Sequence, residues 1–148
     1  MRHETPEIGW HALKLTDTGR NDPVISHHTD GAPVFQWHRY RFDVPEGAVH
    51  LAETASCGPQ AFRHGDNAYG FQFHMEVDEP LISRWLVNRA YLDELAEHGH
   101  PVDAAQVMSE TDRHLPPMRS QAEAVFNAFL DLVGMPERRY TLPSREWV

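Results

Sequence analysis

Tyr69-Gly-Phe-Gln-Phe-His-Met-Glu-Val77 has two chemically opposite faces. Tyr69, Phe71, Phe73, Met75 and Val77 alternate on one side, a period-two apolar stripe that needs a core, so the stretch is expected to be a strand. Gln72, His74 and Glu76 fall on the other side. That spacing puts an imidazole and a carboxylate within reach of one another on one face. A carboxylate beside a histidine fixes its tautomer, orients the ring and favours the imidazolium that a general base passes through. One strand thus offers two parts of a catalytic triad, and a nucleophile remains to be found.

The first half of the chain reads as strands and the second as helices. Ile8–Leu15 alternates loosely and stops at the turn-rich segment 16–23. Val34–His38, Ala48–Ala55 and Gln60–Arg63 are further short strands, and His64-Gly-Asp-Asn67 makes Gln60–Arg63 and Tyr69–His74 a hairpin. After Val77 the period changes. Asp78 can cap a helix that admits Pro80 in its first turn and carries Leu81, Ile82, Trp85, Leu86, Leu92, Leu95 and Ala96 on one face, up to His98-Gly-His-Pro101. A second helix opens with the capping pair Asp103 and Gln106 and ends before Pro116-Pro117. A third carries Met118, Ala122, Val125, Phe126, Phe129, Leu130 and Val133, with Gly134 and Pro136 beyond it. The expected layout is one domain over residues 1–148: strand-rich to 77, helical over 78–134, then a tail over 135–148.

The chain has 148 residues, 41% hydrophobic and 24% charged, enough for a real core in one soluble globular unit. Thirteen Lys+Arg against 22 Asp+Glu give a formal net charge of -9, which repels phosphate backbones and argues against nucleic acid as a partner. The single cysteine, Cys57, forbids an intramolecular disulfide and suits a reducing compartment. No apolar run approaches the ~18 residues of a membrane span, and the N-terminus lacks the apolar core of a signal peptide. A cytoplasmic location and no membrane contact are the expectations.

Around Gly70-Phe-Gln-Phe-His-Met-Glu76 the sequence resembles the second half of a class I (triad-type) glutamine amidotransferase. It is most similar to the stand-alone relatives of the GMP synthetase glutaminase domain, whose late strand reads Gly-x-Gln-x-His-Pro-Glu. Pro6-Glu-Ile-Gly-Trp10, Val34–His38 with Phe42-Asp-Val-Pro45, and Gln60-Ala-Phe-Arg63 look like further segments of that family in the same order. The resemblance implies an α/β fold, the C-terminal part of a flavodoxin-like amidotransferase domain, with strands first and three helices after. It implies that His74 is the base and Glu76 its orienting partner, and that backbone around Trp37 and His38 lies near bound glutamine. Glutamine would yield glutamate and ammonia for an acceptor, with no cofactor and no metal.

Two departures stand out. Met75 occupies the family's proline position, and the Gly-x-Cys-x-Gly elbow that carries the family's nucleophile is nowhere in the chain. Cys57, in Ala-Ser-Cys-Gly-Pro-Gln, leads into a strand and has no helix N-terminus to lower its pKa, so it reads as structural. The chain is therefore expected to be a weak or inactive glutaminase by itself. Absence of the first βα units would uncover a sheet edge and an apolar face, so self-association or a covering partner chain is expected. A non-catalytic amidotransferase-like binding protein stays open as an alternative. So does a cupin-like metal protein recruiting His38, His50, His64, His74 and Glu76 from among eleven histidines. Trp10, Trp37, Trp85, Phe126 and Phe129 read as core, and Asp93, Glu94 and Glu97 as a solvated helix face.

Overall fold

The structure, a computed structural model, describes residues 2–135 and Thr141, with residues 2–5 described by their backbone alone. The expected tail over 135–148 lies, apart from Met135 and Thr141, outside the described residues. In chain order the elements are β1 (Arg2–Ala12), β2 (Lys14–Leu15), α1 (Asp17–Arg20), a 3-10 turn (Ile25–His27), β3 (Pro33–Tyr40), β4 (Ala48–Thr54), β5 (Gly58–His64), β6 (Ala68–Phe71), α2 (Glu79–Leu86), α3 (Arg89–Glu97) and α4 (Ala104–Leu132).

β1 pairs with β3 as a two-stranded ribbon, and β2-β4-β5-β6 form a second sheet in that order. Every pair among the described residues is antiparallel. The β5–β6 hairpin matches expectation, with Arg63 opposite Tyr69 and Gly65 in the left-handed region at φ 62°. The segment from Tyr69 to Val77, however, does not stay in one sheet. It leaves β6 at Phe71, gives a last hydrogen bond from Gln72 N to Gln60 O (2.9 Å), then crosses to the ribbon, where His74 N donates to Phe35 O (2.8 Å). Phe73, Met75 and Val77 stay buried throughout, so the expected alternation holds although the ladder does not. Gly70 is required by packing: it sits opposite Phe62, and a Cβ there would collide with the Phe62 ring, which lies edge-on to Phe42 at 5.2 Å.

Because successive residues of a strand face opposite ways, the β1–β3 ribbon has two unlike surfaces. Ile8, Trp10, Phe35 and Trp37 form cross-strand pairs on one surface, and Glu7 and His38 are paired on the other. The aromatic surface packs with α2 and the first half of α4 in one core: Phe35, Val77, Ile82, Leu86, Val107, Leu115 and Met118 are buried, with Trp10, Trp37 and Trp85 half-buried around them. A second core joins Leu13, Leu15, Val24, Ile25, Val34, Leu51, Ala52, Ala61, Phe73 and Met75 to Ala122 and Val125 of the second half of α4. Phe126 and Phe129 pack against this core half-buried, and beside them Val24, Tyr69, Phe71 and Val125 complete an apolar groove of about 250 Å³.

The helical region differs from expectation in its divisions. The expected helix from 79 to 97 is two helices, because Asn88 turns the chain and accepts from Tyr91 N (3.5 Å) as a new N-cap. The expected break at Pro116-Pro117 is no break: α4 runs through both prolines for 29 residues, about 44 Å at helical rise. Each proline removes one i to i−4 hydrogen bond. Both prolines are exposed, while Leu115 and Met118 on either side are buried in the same core. Burial on both flanks keeps the helix continuous across a local sequence that disfavours it.

Candidate active site

His74 and Glu76 meet as their spacing suggests. His74 Nδ1 donates to Glu76 Oε1 at 2.7 Å, with side chains 30% and 49% exposed, so the pair lies at the surface and open to a ligand. Burial of Glu76 alone would raise its pKa. The hydrogen bond from His74, with backbone N–H groups of Glu76 and Met75, outweighs burial and holds the carboxyl below its ordinary value. The carboxylate is therefore ionised at neutral pH, and Nδ1 of His74 carries a proton. The lone pair of the neutral ring then lies on Nε2, the atom a general base would use.

The pair is placed by its neighbours in the chain. Val77 is buried, Asp78 Oδ1 accepts from Leu81 N (2.8 Å), and Pro80 sits in the first turn of α2. α2 folds back across the site, bringing Trp85 edge-on to the His74 ring, with centroids 5.2 Å apart and planes at 65°. Trp37 packs on Trp85 at 5.4 Å, so the structure brings His74, Glu76 and Trp37 into one neighbourhood.

His38 points elsewhere. It lies on the other surface of β3, 8% exposed, and its Nε2 donates to Glu7 Oε2 at 3.2 Å. Its true partners form a buried polar knot that the sequence does not announce. Glu7, fully buried, also accepts at Oε1 from Thr54 Oγ1 (2.7 Å) and Ser56 Oγ, and at Oε2 from Gln60 Nε2 (2.9 Å). Gln36 Nε2 donates in turn to Gln60 Oε1 (3.0 Å). Burial alone would push the Glu7 pKa up. The bonds from His38, Ser56 and Thr54, with nearby His11, bring it down to about 2. The clue in the sequence is polar residues at strand positions whose alternation points inward: Glu7, Gln36, Thr54 and Gln60.

Cys57 belongs to the knot's edge. It is buried in the turn between β4 and β5, and burial, with the Glu7 carboxylate, pushes its thiol up to about 11. Such a thiol is a poor nucleophile. Among the described residues, Glu7, His38 and Cys57 are the one group whose ligand atoms lie mutually within 4.8 Å. Two hydrogen bonds already fall on each Glu7 oxygen, which fills the carboxylate's lone pairs. The four-histidine set of the metal reading does not converge: His50 Nε2 donates to Ala52 O (2.9 Å), His64 is exposed, and His38 and His74 lie on opposite surfaces of the ribbon. A separate opening of about 490 Å³ lies between β1 and the start of α4, lined in part by Trp10, His11, His100, Asp103, Gln106 and Glu110. Among the described residues no helix is long and apolar enough to cross a membrane.

No protein-family model matches the chain. It is 37% identical over 70 residues to the glutamine amidotransferase-like protein YfeJ of Salmonella typhimurium, covering 47% of this chain and 29% of that protein. It is 33% identical over 84 residues to the HisH subunit of imidazole glycerol phosphate synthase from Chloroflexus aurantiacus, covering 56% of this chain and 40% of the subunit. The structure superposes on a glutamine amidotransferase from Thermotoga maritima with a TM-score of 0.72 and 26% identity, over 88% of this chain and 53% of that one. The chain thus spans less than half the length of these curated relatives. It is glutamine amidotransferase-like in sequence, and its fold is that of the class I glutamine amidotransferases.

Proposed function

We propose that the chain supplies the histidine–glutamate half of a class I glutamine amidotransferase site, releasing ammonia from glutamine when a cysteine nucleophile is provided from outside these residues. The observation that carries this is the 2.7 Å bond from His74 Nδ1 to Glu76, on an open surface of a fold shared with these enzymes. Nε2 of His74 takes the thiol proton as the sulfur attacks the side-chain carboxamide carbon of glutamine. The tetrahedral oxyanion collapses, the C–N bond breaks, and the same proton leaves with ammonia. Water activated by Nε2 then cleaves the thioester to glutamate and restores the thiol. In this reading, backbone beside Trp37 lines the glutamine, supported by the packing of Trp37 on Trp85 next to His74. Cys57, buried and with its pKa raised to about 11, takes no part.

The test is ammonia release from glutamine by the 148-residue chain, alone and mixed with a nucleophile-bearing N-terminal segment of a relative. The chain alone should be nearly inactive. The mixture should turn over, and His74→Asn should abolish that turnover. Activity that survives His74→Asn, or a mixture that never turns over despite forming a complex, would sink the reading. One observation favours a second reading for the chain by itself: its single thiol is buried. A chain that binds glutamine or a partner without turnover would be a non-catalytic binding protein, and calorimetry with glutamine separates the two.

A further inference from the structure

We infer that Trp85 is a positioning residue for His74, holding the imidazole where Nδ1 meets Glu76 and Nε2 stays available. One hydrogen bond to a half-exposed carboxylate does not immobilise a ring: the imidazole can still swing about its χ angles and meet water with either nitrogen. Two further restraints act on it. The backbone of His74 is tied to β3 through Phe35 O, and the indole of Trp85 stands against the ring at 5.2 Å in the edge-to-face arrangement that aromatic quadrupoles favour.

Trp85 is itself held. It packs on Trp37 at 5.4 Å and on Phe35 at 6.1 Å, and Trp37 packs on Tyr91 of α3 at 5.6 Å. Beyond Tyr91, Arg39 lies 6.0 Å from the ring centroid and donates to Glu94 Oε1 at 2.6 Å. The rings of His74, Trp85, Trp37 and Tyr91 therefore form one ladder, drawing on three elements. His74 is half-buried at the open end, so the ladder confines one side of the imidazole and leaves the other free. Displacing the ring toward the ladder is blocked, and swinging it outward forfeits both the aromatic contact and the Glu76 bond.

This assignment rests on the proposed function for its catalytic meaning and is tested without it. The full chain is labelled with ¹⁵N-histidine, and two-bond ¹⁵N–¹H spectra above the histidine titration range read the tautomer of each ring. Wild type should show His74 as the Nδ1–H form. Trp85→Leu should lower the ratio of that form to the Nε2–H form by about five-fold, the scale of one lost aromatic contact. Trp85→Phe should restore most of it, and His28 should not change in either. Trp37→Leu, which unseats Trp85 without touching His74, should give an intermediate ratio and serves if Trp85→Leu does not fold. An unchanged His74 tautomer in Trp85→Leu, or in Trp37→Leu where that stands in, would overturn the inference and leave Trp85 as core filling. In the reconstituted mixture, Trp85→Leu should lower kcat and leave KM for glutamine within two-fold. If turnover never depends on His74, the function fails while the tautomer result stands.

Discussion

Two glutamate–histidine pairs sit on opposite surfaces of the β1–β3 ribbon. Glu7–His38 faces the second sheet, fully enclosed, with four side-chain hydrogen bonds on one carboxylate. Glu76–His74 faces outward, with a single side-chain hydrogen bond on its carboxylate and an aromatic ladder on one side. The chemistry is the same in both, and the environment separates their uses. A saturated, enclosed carboxylate has no lone pair to offer a substrate and serves to fasten two sheets. An unsaturated, half-exposed pair contributes little to stability and keeps a nitrogen free.

Removing Glu7 should have the largest effect. Glu7→Leu strands the His38, Thr54 and Gln60 donors in the interior and should cost about 3–5 kcal/mol in urea unfolding, the range for an uncompensated buried partner. A loss below about 1 kcal/mol would mean the knot is slack.

Acid provides the next test. A carboxyl whose folded pKa lies below its unfolded value stabilises the fold fully above the unfolded value, and that stability drains as pH falls through the folded one. For Glu7 the window runs from about 4.5 to about 2, and the depression corresponds to on the order of 3 kcal/mol. Burial also lowers the pKa of His28, whose Nε2 donates to Ala32 O while Nδ1 lacks a partner. A neutral buried histidine stabilises the fold above its unfolded pKa near 6.5 and resists protonation below it, so stability should begin to fall there. Stability against pH should thus descend in two stages, the upper one absent in His28→Gln and the lower one absent in Glu7→Gln. A single stage common to all three proteins would refute the assignment.

The smallest effect belongs to the surface pair. A double-mutant cycle on His74→Asn and Glu76→Gln should give a coupling below about 1 kcal/mol in stability, as exposed pairs do. A coupling as large as that of the Glu7 knot would erase the contrast.

The surface pair was legible in the sequence because its partners are two residues apart and strand alternation aligns them. The hairpin was legible for a related reason: Gly65 marks the turn and apolar residues alternate on both sides. The buried knot was not, because its bonds join residues 31 to 53 positions apart, and no local pattern encodes which inward polar residues meet. The helix divisions failed in two different ways. Asn88 falls inside a continuous apolar helical stripe, whereas its side chain caps a new start. Pro116-Pro117 was read as a stop, whereas burial of Leu115 and Met118 overrode local propensity. Trp85 packs against the aromatic core as its type suggests, whereas its stand over His74 has no local signal in the sequence.

α4 has one more consequence, for the order in which the molecule opens. Its turns up to Met118 feed the aromatic core and its later turns the sheet core, and the two missing amide protons at Pro116 and Pro117 thin its hydrogen-bond chain just before the last of the aromatic-core turns. Proteins open locally in roughly contiguous cooperative units, and thinner hydrogen bonding between two stretches of a helix loosens their coupling. The proline pair is therefore a firebreak: fraying that starts near Leu132 loosens the sheet core first, and the turns that carry Val107 and Leu115 beneath the site are the last to be reached.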